Sequence, residues 1–144
     1  MNAQPLLDQL ASQLSISLPL SPEGTCRVSF DNDDIDFEQT ETGLYIIATL
    51  ADASGREDAY ERLLKANYLG SETGGACIGL DANQNVFTIH TILHGDMDYS
   101  AFEKELCAFI RALRYWKEWL SLPPVKMSSE VQQTLPFDNT MLKI

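Results

Sequence analysis

The sequence predicts an α+β domain of order α-β-β-β-α-β-β-α, a mainly antiparallel twisted sheet with helices packed on it. Three observations carry this expectation. Short runs between residues 25 and 50, and again between 76 and 93, place apolar residues at strand spacing and are separated by turn-forming residues. Phe102, Leu106, Phe109, Leu113, Trp116 and Leu120 recur at intervals of four and three, the stripe of a long amphipathic helix. The first three strands are joined by tight turns, which makes an antiparallel meander rather than a parallel crossover.

The elements follow in order. Gln4–Leu14 sets Leu6, Leu7, Leu10, Ala11 and Leu14 at helical spacing, with Pro5 in the first turn, where its missing N–H does no harm. Asp8, Gln9, Ser12 and Gln13 fill the other face. Pro19, Pro22 and Gly24 mark a loop. In Thr25–Phe30, the residues Cys26, Val28 and Phe30 alternate with Arg27 and Ser29, as in a half-buried strand. Asp31 to Asp34 form a turn, and Ile35 and Phe37 alternate with Asp36 and Glu38 in a second strand. Residues 44–50, after a turn at Gly43, are almost continuously apolar, which predicts a central strand covered on both faces.

Ser54-Gly55-Arg56-Glu57 fits a capping box ahead of a helix over 56–69, with Gly70 as its stop. Gly74-Gly75 opens a fourth strand over 76–80, and a turn at Asp81 to Asn85 leads to a fifth, Val86–Leu93. Ser100 and Glu103 fit a second capping box at the start of the longest helix, which runs to about residue 122 before Pro123-Pro124. Ile110, Tyr115 and Trp119 form a second stripe beside its core stripe. Residues 1–122 are thus one domain, and 123–144 form a C-terminal tail without periodicity, a mobile segment or a docking arm.

At 144 residues and 16.1 kDa the chain has room for one domain whose core needs no disulfide or metal. Twenty-one acidic against ten basic residues leave a net charge of −11. That field repels phosphate backbones and anionic lipid, so neither nucleic acid nor a membrane surface is an expected partner. No apolar run approaches the ~18 residues of a spanning helix, and no membrane insertion is expected. Arg27 is the first basic residue and no signal-peptide pattern precedes it, which predicts a cytoplasmic protein. Cys26, Cys77 and Cys107 show no paired spacing and read as small structural thiols in a reducing compartment.

Candidate chemistry fails at the decisive positions. The run Gly74 to Gly79 lacks the lysine and hydroxyl of a phosphate loop, so its glycines serve a turn and close packing. A calcium loop counted from Asp31 would need a ligand at Ile35, glycine at Asp36 and glutamate at Thr42, so Asp31, Asp33, Asp34 and Asp36 read as a solvated turn. His90 and His94 lie in and just after a strand without a third ligand at metal spacing. Cys77 beside two glycines, with His90 as a base, is the only suggestive nucleophile. The expectation is no catalytic residue, no cofactor and no metal. The leucines of the first helix admit two readings: all face the sheet, or some line a groove that receives another chain.

One further pattern runs through the chain. Leu63-Leu64-Lys65-Ala66-Asn67-Tyr68-Leu69 is followed by Gly74-Gly75-Ala76-Cys77-Ile78-Gly79-Leu80-Asp81, then by the apolar strand ending at His94. Met97-Asp98-Tyr99-Ser100-Ala101-Phe102, Phe109-Ile110 and Trp116 to Leu120 complete it. In order, spacing, size and acidity, residues 4–122 resemble the class I type III secretion chaperones of the Tir-chaperone family. These are small acidic homodimers of the bacterial cytoplasm that bind secreted effectors before export. The resemblance implies a dimer built on the second helix and the strand after it, nominating Ala66, Leu69, Ile78 and Leu80. It implies an effector segment held in extended form over Leu7, Leu10, Leu14, Phe30, Ile35 and Phe37, with Asp33 and Asp34 in an acidic rim. The implied partners are a second copy, secreted effector proteins and the secretion-system ATPase. Arg111, Arg114 and Lys117 flank Trp116 where the family more often has acidic residues before its tryptophan, and the tail after Pro124 matches no family motif. Two other readings stay open here: a housekeeping cytoplasmic binding protein of the same fold, and a small enzyme using Cys77 or the acidic cluster.

Overall fold

Which face of each strand is apolar decides where the helices lie. The computed structural model describes residues 1–124. It contains α1 (Gln4–Leu14), β1 (Thr25–Phe30), β2 (Asp33–Gln39), β3 (Leu44–Asp52), α2 (Tyr60–Asn67), β4 (Cys77–Asp81), β5 (Val86–Leu93) and α3 (Tyr99–Ser121), in the expected order. The five strands form one antiparallel sheet, β1-β2-β3-β5-β4, so β3 is central and β1 and β4 are edges. Val28, Ile35, Phe37, Ile46, Ala48 and Ile89 turn to one face and are buried there with Leu7 and Leu10 of α1 and the whole Phe102-to-Leu120 stripe of α3. Each Val-, Leu-, Ile- or Phe-sized side chain among them contributes about 1.5–3 kcal/mol on leaving water.

Several local expectations are corrected. β3 is not covered on both faces: Tyr45, Ile47 and Ala51 are half-buried and Thr49 is exposed, because α3 packs on the other side. Neither capping box forms. Ser54 gives its N–H to Asp52 at 2.9 Å, and its hydroxyl accepts from the Asn85 amide at 3.1 Å, so it is not free to cap a helix. Asp98, not Ser100, caps α3, accepting from the Ala101 N–H at 2.8 Å.

The second helix is also shorter than expected. A 3-10 turn at Glu57–Ala59 precedes α2, and α2 ends at Asn67. There the Asn67 amide turns to the edge strand: the Ile78 N–H donates to its Oδ1 at 2.7 Å and its Nδ2 donates to the Ile78 carbonyl at 3.0 Å. The chain then reverses through Leu69 at φ 56 and Gly70 at φ 65. A Cβ on Gly70 would sit 2.7 Å from the Gly75 Cα, so only glycine fits. Buried Trp116 ties this loop to α3, its Nε1 donating to the Glu72 carbonyl at 2.8 Å. The Arg62 guanidinium lies 5.1 Å from the Trp116 ring centroid and grips Glu72 with two 2.7 Å bonds. The expected tail at 123–144 lies, beyond residue 124, outside the described residues.

Candidate functional site

The residues nominated for an effector groove divide. Leu7, Ile35 and Phe37 have no exposed surface and Leu10 keeps 4%. Phe37 packs on Phe102 with ring centroids 6.3 Å apart. These four are core, not the floor of an open groove, because the apolar face of β2 is the one the helices cover. Leu14 remains 38% exposed, and Phe30 is half-buried at the end of β1. Beside Leu14 the structure adds Ile16, 48% exposed, which sequence reasoning passed over because it sits among loop residues.

Ile16 lines a shallow groove of about 360 Å³ with Ala11, Ser12, Leu18, Pro19, Gln4 and Asp8. Gln4 shapes it, donating to the Leu18 carbonyl at 3.2 Å and accepting from the Leu20 N–H at 3.2 Å, so the loop lies along α1. Ser21 then bonds the start of β1, its N–H reaching the Thr25 carbonyl at 2.8 Å. The loop that borders the groove therefore runs on into β1. With Gln39 N–H bonded to Gly24 O, alternation points the backbone groups of Arg27 and Ser29 outward from the sheet. The opposite edge is less open, since the Asn67 amide occupies both groups of Ile78.

Of the expected acidic rim, Asp33 is corrected and Asp34 stays exposed. Asp33 is buried and accepts from Lys117 Nζ at 2.8 Å and Arg114 Nε at 2.9 Å; Arg114 also reaches Asp31 at 3.2 Å. Asp34 accepts from the Ser29 hydroxyl at 2.5 Å, and Asp36 takes two bonds from Arg27, at 2.7 and 2.9 Å. Asp33, with Asp31, thus latches the β1–β2 hairpin to α3, whereas Asp34 and Asp36 stay in contact with solvent and bond within the hairpin. Burial pushes the Asp33 carboxyl up, but Lys117 and Arg114 together pull it below its ordinary value. Its folded value is thus lower than its unfolded one, so the stabilisation is complete at neutral pH and fades as pH falls below about 4. Asp33→Asn is expected to cost about 1–3 kcal/mol at neutral pH. Urea unfolding at neutral and acid pH checks this: the cost should shrink in acid, and a cost independent of pH would mean the latch contributes nothing through its charge.

The nominated dimer residues divide too. Ala66 has no exposed surface and Ile78 keeps 9%, so both lie beneath the surface rather than on it. Leu69, 85% exposed, and Leu80 stand outside, joined by Tyr60, Leu64 and Tyr68, which the sequence reading had not nominated for this face. Between them is a pocket of about 220 Å³ lined by Tyr60, Leu63, Leu64, Ile78, Gly79, Leu80 and Phe87.

The register brings Cys77 directly opposite His90 on the open face of the sheet. The next residue in that row is Ile47, so no carboxylate orients the imidazole from β3. Burial, then Asp36, pushes the Cys26 thiol up, away from reactivity. Among the described residues, no group of three or more His, Cys, Asp or Glu could hold a metal, and no helix is long and apolar enough to cross a membrane.

Residues 5–117 match the model of the Tir chaperone protein (CesT) family. Among solved structures, the fold is similar to that of a chain in the HopA1–SchA chaperone–effector complex, at 19% identity and TM-score 0.69, covering 80% of this chain and 92% of that one. It is similar to a chain of the ExsC–ExsE complex at 18% identity and TM-score 0.70, covering 81% and 91%. A third similar chain belongs to the complex of the Yersinia pestis type III secretion chaperone SycH with a stable fragment of YscM2, at 16% identity and TM-score 0.63, covering 80% and 99%. No curated protein sequence matches.

Proposed function

Because the chain belongs to the Tir chaperone protein (CesT) family, we propose that it is a type III secretion chaperone that holds a segment of a secreted effector in extended form. Family membership over residues 5–117 carries the reading, and the solved chaperone–effector complexes of the same fold support it. The effector segment lies in the groove at Ile16, covers exposed Leu14 at the end of α1, and continues along the β1 edge, where Arg27 and Ser29 offer backbone hydrogen bonds. Aliphatic anchors on the segment fill the groove. The protein acts in the bacterial cytoplasm by binding without turnover, and the secretion-system ATPase is its further partner. It works as a homodimer through the α2–β4 face, where Leu69 and Leu80 stand exposed.

The test is capture followed by export. The full chain, recovered from its native cells, should bring down one or a few secreted proteins in stoichiometric amount. Deleting the chain should reduce the export of those same proteins. Unchanged export of every captured protein after deletion would sink the proposal.

A further inference from the structure

A cavity of about 420 Å³ opens where α1 and α3 begin. Pro5, Leu6 and Gln9 of α1 line one side, and Gly95 to Tyr99, the segment leading into α3, lines the other. Exposure alternates along that segment. Asp96 and Asp98 are exposed, whereas Met97 and Tyr99 are half-buried and pack on the core, as Met1 does. The cavity thus has an apolar, partly aromatic floor and two carboxylates at its rim. Burial, then Glu103 and Cys107, push the Tyr99 phenol up, so Glu103 adds a third negative charge nearby. Two helix starts would ordinarily favour an anion here. Several of their donors are already engaged: Ala101 N–H bonds the Asp98 side chain at 2.8 Å, Phe102 N–H bonds the Asp98 carbonyl at 3.1 Å, and Gln4 N–H bonds Asn2 Oδ1 at 3.2 Å. Pro5 has no N–H to offer. Among the described residues, neither Asp96 nor Asp98 is held in an ion pair.

We infer that this cavity receives an arginine side chain carried by the effector segment. The inference rests on the effector binding proposed above and names one residue that the segment carries. The floor of Leu6, Met97 and Tyr99 suits the methylene stem. Asp96 and Asp98 suit the guanidinium, which bonds carboxylate oxygens in a fork while its plane lies against the Tyr99 ring. Lysine, a point charge, gains less from such a site. The net charge of −11 draws a basic segment to the protein in any orientation, but the cavity fixes where one basic side chain goes. Its place along the segment follows from α1. The groove side of α1 carries Gln4, Asp8 and Ser12, and the cavity side carries Pro5 and Gln9. Crossing a helix about 10–12 Å wide takes about three to four extended residues at about 3.3 Å each. The arginine should therefore stand about three to four residues from the aliphatic anchor seated at Ile16.

Two measurements on the full chain test it. In the first, amide chemical shifts are followed by NMR as N-acetyl-arginine methylamide is added, and again with the neutral citrulline derivative of the same shape. The arginine probe should move the amides of Gly95 to Tyr99 and of Leu6 and Gln9, with a Kd in the millimolar range. The citrulline probe should bind at least about fivefold more weakly. Asp96→Asn/Asp98→Asn should lose that preference and stay folded, since asparagine caps a helix as well as aspartate does. Equal binding of the two probes, or a preference kept by the double variant, overturns the inference. So does a lysine derivative that binds as tightly as arginine. In the second, capture of the client recovered from native cells is compared between Asp96→Asn/Asp98→Asn and Leu14→Asp/Ile16→Asp. Both should weaken it. Normal capture by the asparagine variant, with loss in the other, removes the arginine site and leaves the chaperone reading standing. A wild-type chain that captures no client overturns both.

Discussion

Leu10→Asp is expected to unfold the protein, and not merely to remove a contact with a partner. Leu10 keeps 4% of its surface and sits with Leu6 and Leu7 in the common core. α1 has 11 residues, too few to be stable alone in water. It stays helical because its leucines are buried. A carboxylate forced into that site lands among the apolar side chains of the core, and its burial costs several kcal/mol. Against a total stability of about 5–15 kcal/mol for a domain, that is enough to abolish or severely weaken the fold. Leu10→Ala should be milder, about 2–5 kcal/mol from the lost burial and the cavity left behind. Circular dichroism melts check both. A Leu10→Asp protein that melts like the wild type would mean that α1 can leave the core at little cost.

The strands and the long helix were legible because each repeats a local period. Val28, Ile35, Phe37 and Ile46 alternate with polar or half-exposed neighbours, and the α3 stripe keeps its spacing over 23 residues. Local spacing shows which residues share a face, but not what covers that face. The first-helix leucines were therefore open to two readings, and burial assigns Leu7 and Leu10 to the core. Asp33 was misread for a related reason: its neighbours in sequence are acidic, whereas Arg114 and Lys117 lie 81 and 84 residues away. Ser54 has the capping pattern, but Asp52 and Asn85 compete for its backbone and hydroxyl. The end of α2 at Asn67 depends on the edge strand that Asn67 binds. Exposed Ile16 had no periodic partners to single it out. The binding surfaces were the hardest part to read, since they are made of residues left over by packing.

Leu14→Asp combined with Ile16→Asp is expected to abolish effector capture at concentrations that saturate the wild type, without unfolding. Both side chains are partly exposed in the free protein, so a charge there stays solvated and the fold loses little. In the complex, the same carboxylates would face the aliphatic anchors of the segment and lose their water. Covering what these two side chains expose, and avoiding that desolvation, should make the binding difference roughly 10- to 100-fold. Ser29→Pro addresses the other half of the site. Its N–H points outward from β1, and an edge strand tolerates proline at such a position. The substitution should keep the backbone ladder of the sheet, losing the exposed Ser29–Asp34 hydroxyl bond and one backbone donor for the added segment. Capture measured by calorimetry separates the two halves. Normal binding by Leu14→Asp/Ile16→Asp with weakened binding by Ser29→Pro would remove the groove and keep the edge. Normal binding by both would place the effector segment on another surface, because neither the anchors nor the backbone bonds assigned here would then be holding it.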